Sequence, residues 1–276
     1  GPSHEPAAGP RNLRARFSRL GTGGFPNLLR EPQRLHGARG GPAGAGGAAG
    51  PAIIWFRSDL RLQDHEALVR AHREGSSVLP VFCFDPRDFG KSSNGFDRTG
   101  PYRAGFLLDA VRDLKARLSE AGSDLAVRFQ RPEEALPELV RATGAKVVYC
   151  HQEVTYADLQ LEKAVREAVE GEGASLKAVW GSTLYHVDDL PFSLDFMPSN
   201  YTGFREKVHR SRIRALQECP AELKALPSGE YELGEVPSLE DLGLQAPSSS
   251  AEGPGVDMVG GETEALRRLE EFMALV

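Results

Sequence analysis

The segment IIWFRSDLRLQDHEAL, residues Ile53 to Leu68, carries the pattern that indicates the fold of this chain. A short apolar run ends at Arg57, several charged residues follow, and a helical pattern then begins. One explanation of charges at the end of a buried strand is a ligand site, because α/β proteins bind ligands beyond the carboxyl ends of their parallel strands. A solvated turn with helix-capping carboxylates explains the same charges without any ligand.

Strand-like and helical patterns alternate between residues 52 and 180. The strand candidates are continuous apolar runs, which is typical of strands that are covered on both faces of a parallel sheet. The predicted strands are 52–56, 78–84, 125–129, 146–150 and 176–180. One predicted helix follows Leu62, with Asp64 as its expected N-cap, and the others occupy 102–118, 132–143 and 157–169. The sequence therefore predicts the α/β class, with a Rossmann-like five-stranded parallel sheet and helices on both faces.

Residues 1–51 differ in composition from the rest of the chain. They hold seven Arg, no Lys and two Glu, a net charge of +5, whereas the remainder carries −11. GARGGPAGAGGAAGP cannot bury enough side chain to offset its ordering cost, so a disordered segment is expected. An Arg-rich, acid-poor composition fits an organelle transit peptide, and a linker without an address fits it as well. The acidic body does not favour nonspecific binding of nucleic acid.

Regular patterning fades after Trp180. A short helix is expected at 201–216, which ends the α/β domain at 52–216. Residues 217–259 are predicted to be an irregular interdomain linker, and LQAPSSSAEGPG within them is typical of a mobile one. Residues 260–276 then begin an amphipathic helix. Its apolar face comprises Ala265, Leu266, Leu269, Phe272 and Met273.

The sequence excludes several common kinds of site. FRSDLRLQD lacks the glycines of a dinucleotide fingerprint, and neither a phosphate-binding P-loop, a Gly-x-Ser-x-Gly elbow nor a His-Glu-x-x-His zinc helix occurs. Three Cys give no disulfide framework and no paired-Cys zinc signature. Cys83 and Cys150 lie within apolar runs, so both are expected to be small buried hydrophobic residues.

Four acidic or basic residues remain as candidates. Glu153 follows the fourth predicted strand, where a carboxylate can accept two hydrogen bonds from a flat amide-like or guanidine-like ligand edge. The same carboxylate can instead complement the positive end of the next helix. His151 is expected to be a histidine on a surface turn. The pair Asp188-Asp189 is expected to form a turn rather than a metal site.

Several segments, in collinear order from about Ala52 to Val276, resemble photolyases and cryptochromes. IIWFRSDLRLQDHEAL resembles their opening strand and helix. LPVFCFDPRDFG, TGPYRAGFLLDAVRDL, CHQEV and WGSTLYHVDDLPF are similar to DASH-type cryptochromes and to their plant photolyase-like blue-light-receptor relatives. PSNYTGFREKV and VGGETEALRRLEEF match the same subgroup.

The resemblance implies an N-terminal α/β domain that holds a light-harvesting antenna, a reduced folate such as methenyltetrahydrofolate. It also implies a C-terminal helical domain that binds FAD, performs the photochemistry and contacts damaged DNA. In the family, a Gly-Gly-Glu segment lies where the chain enters that helical domain, as Gly260, Gly261 and Glu262 do here. We therefore expect 260–276 to begin a helical FAD domain that is missing, and this chain alone to bind neither FAD nor damaged DNA.

The antenna site carries over only in part. Glu153 matches the acidic residue that holds the folate in similar proteins. Ser58 stands where the family usually has Asn, and His65 where it often has another Asn. With contacts from the helical domain also lacking, weak folate binding is expected. Arg57 and Asp59 are expected to be structural and to pair with neighbouring strand loops.

Two functional hypotheses follow from different classes. In the first, the chain is the antenna domain of a blue-light flavoprotein for DNA photorepair or light sensing, and is not catalytic by itself. In the second, it is a structural or docking subunit of a chloroplast complex that reuses the fold. Both predict a partner for helix 262–276, which is either the helical FAD domain or another protein. The resemblance to plant proteins, with the transit-like segment, suggests the chloroplast.

Overall fold

The computed structural model describes residues 50–246 and 258–275, and the predictions for residues 1–49 lie outside this range. The five strands are β1 (Ala52–Phe56), β2 (Val78–Cys83), β3 (Ala126–Arg128), β4 (Val147–His151) and β5 (Ser175–Val179). The α-helices are α1 (Glu66–Glu74), α2 (Pro101–Glu120), α3 (Pro132–Thr143), α4 (Tyr156–Gly171), α5 (Tyr201–Val208) and α6 (Glu262–Ala274). Among the described helices, none has the length and apolar character needed to cross a membrane.

The strands form one parallel sheet in the order β3-β2-β1-β4-β5. The chain builds outward from β1 to β3 on one side and then returns to place β4 on the other side of β1. The strand order reverses between β1 and β4, and a crevice opens there beyond the carboxyl ends of the strands. This confirms the predicted five-stranded parallel sheet and marks the β1–β4 crevice as the place for a ligand.

Strand β1 explains why the sheet is covered on both faces. Ala52, Ile54 and Phe56 pack into one cluster together with α1 and α2. Ile53 and Trp55 point the other way, into a cluster with α3 and α4. Each fully buried side chain of this size contributes about 1.5–3 kcal/mol relative to an exposed one. A strand with two buried faces has no polar side to alternate, and this is why its sequence is a continuous apolar run.

Residues 217–246 contain neither a helix nor a strand, as expected, but they pack against the domain. The amide of Val127 in the edge strand β3 donates to the carbonyl of Leu233 over 2.6 Å, and the amide of Val78 donates to the carbonyl of Ala225. Leu242 and Leu244 are buried in the first core cluster. Residues 217–246 therefore cover the β3 edge of the sheet and part of the first core cluster. Residues 247–257, the centre of the predicted mobile linker, lie outside the described range.

Helix α5 is shorter than predicted. It ends at Val208 rather than continuing to residue 216, and residues 209–217 are irregular. Val208 is the one residue of this helix that is buried, so no apolar face beyond it anchors further turns. Helical propensity without a buried face is insufficient to extend a short helix.

Candidate functional site

A cleft of about 1140 Å³ opens beyond the carboxyl ends of β1 and β4. It is bordered by the loop after β1, by the start of α2, by α4 and by the first residues of α6. The cleft reaches the size of pockets that hold drug-sized ligands, which span about 300–1,000 Å³. It therefore has both the position and the size of a ligand site.

Arg57, the first residue after β1, lines the cleft and connects it to α4. Its guanidinium pairs with Glu162 and, over 3.0 Å, with Asp158, both on α4. The side chains of Arg57 and Glu162 are only 6% and 8% exposed, so this ion pair is buried. The guanidinium also lies 4.8 Å from the ring centroid of Trp55. The structural role expected for Arg57 is confirmed, with partners on a helix rather than on a strand loop.

Asp59 links the loop after β1 to β4 and α1. Its Oδ1 atom accepts a hydrogen bond from the amide of Arg57 at 2.7 Å, and its Oδ2 atom lies 2.6 Å from Nδ1 of His151 and 2.8 Å from Nε2 of His65. Burial raises the pKa of Asp59, but the hydrogen bonds from the two histidines outweigh burial and hold this pKa far below its ordinary range. Asp59 is therefore a structural carboxylate, as expected, and it is ionised.

His151 differs from its prediction. It is a buried residue, 3% exposed, rather than a histidine on a surface turn. It ends β4, and its Nδ1–H donates to Asp59. Its Nε2 atom is buried beneath Gly181, and within the described residues it has no hydrogen-bond partner. The sequence signal for burial was its position directly after VVYC, because the last residue of a central strand shares the strand's cover.

Asp59, His65 and His151 have the composition of a metal site, with ligand atoms within 4.8 Å of one another. The tautomer of His65 argues against that role. Its Nδ1 atom accepts a hydrogen bond from the amide of Leu68, so the ring proton is on Nε2, the atom that faces Asp59. A metal on Nε2 would move the proton to Nδ1 and break this cap. We therefore interpret the cluster as a hydrogen-bonded lock.

The same hydrogen bond corrects the predicted start of α1. His65, not Asp64, is the N-cap residue, and its ring nitrogen replaces the carboxylate as the acceptor of the orphan helix amide. Asp64 adopts a positive φ of 51° and instead accepts a hydrogen bond from the amide of Gln217 over 3.0 Å. The acid thus connects the segment after α5 to the loop after β1.

Glu153 lies between β4 and α4 and lines the cleft. Its amide donates to Oε1 of Glu162 over 2.8 Å, while its own carboxylate has no hydrogen-bond partner among the described residues. Burial raises the pKa of Glu153. The positive charge of Arg57 opposes this, and the acids Asp158, Asp59 and Glu162 add to it. The structure thus presents to the cleft a carboxylate with free acceptor oxygens, on a backbone whose amide is bonded to Glu162.

Another part of the cleft is lined by arginines together with the acids Asp85, Asp88 and Glu133. Arg87 is held by Asp85 and Glu133, so its charge is already neutralised. Arg98 and Arg103 also line the cleft, and in the described part of the chain neither forms an ion pair within 4.0 Å. The cleft therefore offers the acceptor carboxylate of Glu153 and, near Asp88, the guanidinium groups of Arg98 and Arg103, which suits an elongated ligand with a donor edge and an anionic end.

Gly260, Gly261 and Glu262 fasten α6 to the rim of the cleft. The Glu262 carboxylate accepts hydrogen bonds from the amides of Leu62 and Gln63 over 2.7 and 3.1 Å, and it pairs with Arg117. Gly261 has a φ of 117°, which favours glycine. Sequence reasoning treated this motif only as a domain entry. The pattern of two glycines before an acid was the available signal for a close backbone approach.

The pair Asp188-Asp189 lies outside the lining of the cleft. Both residues belong to a short 3-10 helix, Val187–Asp189, and Asp189 pairs with Arg214 over 2.6 Å. The hydrogen bond from Arg214 lowers the pKa of Asp189. The predicted turn is confirmed in the form of this short helix.

Comparison with known proteins agrees with this architecture. The sequence model of the DNA photolyase family matches residues 52–224. The blue-light photoreceptor PHR2 of Arabidopsis thaliana is 50% identical over 235 residues, which cover 84% of this chain and 52% of that protein. A chloroplastic/mitochondrial cryptochrome DASH of Oryza sativa is 42% identical over 247 residues, which cover 82% of this chain and 42% of that protein.

A solved structure, the cryptochrome of Synechocystis sp. PCC6803, superposes with a TM-score of 0.75 at 34% identity. The match covers 82% of this chain and 47% of that chain. The chain thus spans about half the length of the curated relatives that it matches. The resemblance drawn from the motifs is confirmed, and the chain belongs to the DNA photolyase family, as an N-terminal α/β domain of the photolyase and cryptochrome type.

Proposed function

We propose that this chain is a light-harvesting domain, which binds a reduced folate such as methenyltetrahydrofolate in the cleft beyond β1 and β4. In a longer protein it would pass excitation to FAD held by a helical half. The observation that carries the proposal is the carboxylate of Glu153, which faces the cleft without a protein partner while its backbone is fixed by Glu162.

The chemistry of Glu153 suits the flat, nitrogen-rich edge of a pterin ring. Two carboxylate oxygens can accept two parallel N–H bonds, and hydrogen bonds to an ionised group are stronger than those between neutral groups. Burial raises the pKa of Glu153, so donors from a ligand replace lost hydration and favour its charged form. Arg98 and Arg103 would face the carboxylate tail of a folate in the same cleft.

FAD is the cofactor of the photolyase and cryptochrome family, and we propose that this chain does not bind it alone. In the proposed division of labour, the α/β domain collects light, whereas the helical half holds the flavin and contacts DNA. Quantifying flavin in the purified chain tests this point. Flavin released in a one-to-one ratio on denaturation would contradict it.

We also propose that the helical half is the partner that covers α6. Leu269, Phe272 and Met273 on this helix are 54–63% exposed, which is unusual for a contiguous apolar face. The Glu262 anchor fixes where the helix starts, so the covering surface would lie over the rim of the cleft. Such a cover would supply the folate contacts that this chain lacks and would strengthen binding.

We propose the chloroplast as the location of this protein. The support is the rice relative, which is named chloroplastic/mitochondrial, together with the Arg-rich composition of residues 1–51. A fluorescent fusion to residues 1–51 tests the proposal in plant cells. Signal confined to the cytosol would contradict it.

The direct test of the function is a titration of the chain with methenyltetrahydrofolate, followed by fluorescence. Glu153→Gln removes the charge and one of the two acceptor oxygens, and we expect affinity to fall about 10- to 100-fold, since a hydrogen bond to a charged group is worth about 1.5–3 kcal/mol. Glu167→Gln on the exposed side of α4 is the matched control. Equal affinity of the two variants would overturn the assignment of Glu153.

A further inference from the structure

Glu153 projects from a short segment that has few fixed points of its own. The segment joins the end of β4 to Thr155, the N-cap of α4. The amide of Gln152 donates to the carbonyl of Val179 over 2.8 Å, and the amide of Glu153 donates to Oε1 of Glu162. The neighbouring strand β5 thus holds Gln152, whereas at Glu153 itself a side chain from α4 holds the backbone amide.

The same oxygen of Glu162 also receives the guanidinium of Arg57. Arg57 is in turn fixed by Asp158, and its Nη1 atom lies 3.5 Å from the carbonyl oxygen of His151, the last residue of β4. One buried carboxylate therefore joins the end of β1, the end of β4 and the second turn of α4. The amide of Glu153 is bonded to the centre of this junction.

Stability alone is a poor explanation of this arrangement. Buried ion pairs are costly to desolvate, and a well-packed apolar pair of similar volume often stabilises a fold equally well. Glu162 lies on an otherwise apolar buried face of α4, next to Val165 and Val169, where an aliphatic residue would satisfy packing. What an aliphatic residue cannot provide is an acceptor for the Glu153 amide with a fixed direction.

We propose that Glu162, held by Arg57, is a positioning residue that orients Glu153 toward the ligand in the cleft. This inference rests on the proposed role of Glu153 and identifies what makes that role possible. Asp158 serves as a contrast, since it binds Arg57 and the N-cap residue Thr155 but does not accept a hydrogen bond from the Glu153 amide, and its side chain is 36% exposed. Glu162 acts through the backbone of Glu153 and does not itself contact the ligand.

The test uses a double-mutant cycle on folate affinity with Glu162→Leu, Glu153→Gln and the two changes combined. If Glu162 acts through Glu153, Glu162→Leu weakens binding about tenfold in the wild-type background and much less in the Glu153→Gln background. An equal loss of affinity in both backgrounds would show a general structural effect and would overturn the proposal. Glu162→Gln retains an acceptor oxygen and is expected to restore most of the affinity.

Amide hydrogen exchange of Glu153 gives a second measurement that needs no ligand. In Glu162→Leu, the Glu153 amide loses its acceptor and should exchange about ten times faster or more, whereas core amides in β1 remain protected. Glu162→Gln should keep the slow rate and also serves if the leucine variant does not fold. An unchanged Glu153 rate in the folded leucine variant would overturn the positioning role. If wild-type chain shows no folate binding, the proposed function fails, and the exchange rates still decide the positioning.

Discussion

Asp59→Asn is predicted to destabilise the domain by about 3 kcal/mol. In the wild-type carboxylate, Oδ1 accepts a hydrogen bond from the Arg57 amide, and Oδ2 faces the N–H groups of both histidine rings. An asparagine side chain has a single acceptor oxygen, so it must turn its NH₂ group toward either the Arg57 amide or the histidine N–H groups. Each lost hydrogen bond to a charged group costs about 1.5–3 kcal/mol, and because the contact with His65 is poorly aligned, the sum lies near the lower end of the range for two bonds, at about 3 kcal/mol.

Urea unfolding at neutral pH, followed by circular dichroism, measures this change. The urea concentration at the midpoint should fall, while the slope of the unfolding free energy against urea concentration stays the same. Such a result indicates a change in stability without a change in the surface exposed on unfolding. Asp97→Asn is the control, because Asp97 pairs with Lys91 on the surface and such pairs are worth about 0.2–1 kcal/mol. If Asp59→Asn costs no more than this control, the description of Asp59 as the central acceptor of the lock is wrong.

Three further results are expected. Gly260→Ala places a methyl group on the carbonyl of Phe106 and should accelerate amide exchange in α6 only. The control Gly171→Ala has open space around it and should stabilise α4 by about 0.5–1 kcal/mol. Unchanged amide exchange in α6 of the Gly260→Ala variant would contradict the close approach. Burial lowers the pKa of His65 from 6.5, so near pH 6.5 only the unfolded chain takes up a proton on this ring. The free energy of unfolding should therefore fall as the pH drops below 6.5, and it should fall less steeply in His65→Asn. Identical slopes in the wild-type protein and the variant would refute this prediction. Burial raises the pKa of Cys83 to about 12 and that of Cys150 further. A thiol reagent should therefore label Cys219 first in the native protein. Equal labelling rates at all three cysteines would count against the burial of Cys83 and Cys150.

The sheet was predictable because its central strands leave a strong signal. Residues 52–56 and 78–83 are buried at every position, and burial on both faces demands an uninterrupted apolar run. Helix α3 was predicted with its correct bounds, since Pro132 occupies its first turn and Gly144 follows it in the left-handed conformation. These signals are local, and each of them is carried by the segment itself.

The lock around Asp59 was only half predictable. The structural role of Asp59 followed from its place at a strand end, but its partners His65 and His151 lie 6 and 92 residues away in sequence. Pairing over such distances depends on strand order, and one sequence does not specify that β4 returns beside β1. His151 was consequently assigned to a surface turn. Asp64 was expected to cap α1 because carboxylates are common helix caps, whereas the structure places His65 there.

The candidate site divides in the same way. Glu153 was singled out from its position after a strand and from the resemblance to photolyases, whereas Glu162 was not. Within α4, Glu162 looks like one more acid on a charged helix, and only the packed structure shows that it is buried and accepts the hydrogen bond of the Glu153 amide. The Glu262 anchor was missed for the same reason, since its acceptor role depends on amides about 200 residues earlier.

The measurement that tests the central claim most directly is a near-ultraviolet and visible absorption spectrum of the protein purified from its native source, with the intact mass of the same sample. A light-harvesting domain predicts a folate band, which disappears when the protein is denatured and the pigment is removed. A flavin band together with a mass well above 30.0 kDa would show the domain within a longer flavoprotein. A colourless protein at the mass of this chain, which also fails to bind added methenyltetrahydrofolate, would contradict the account.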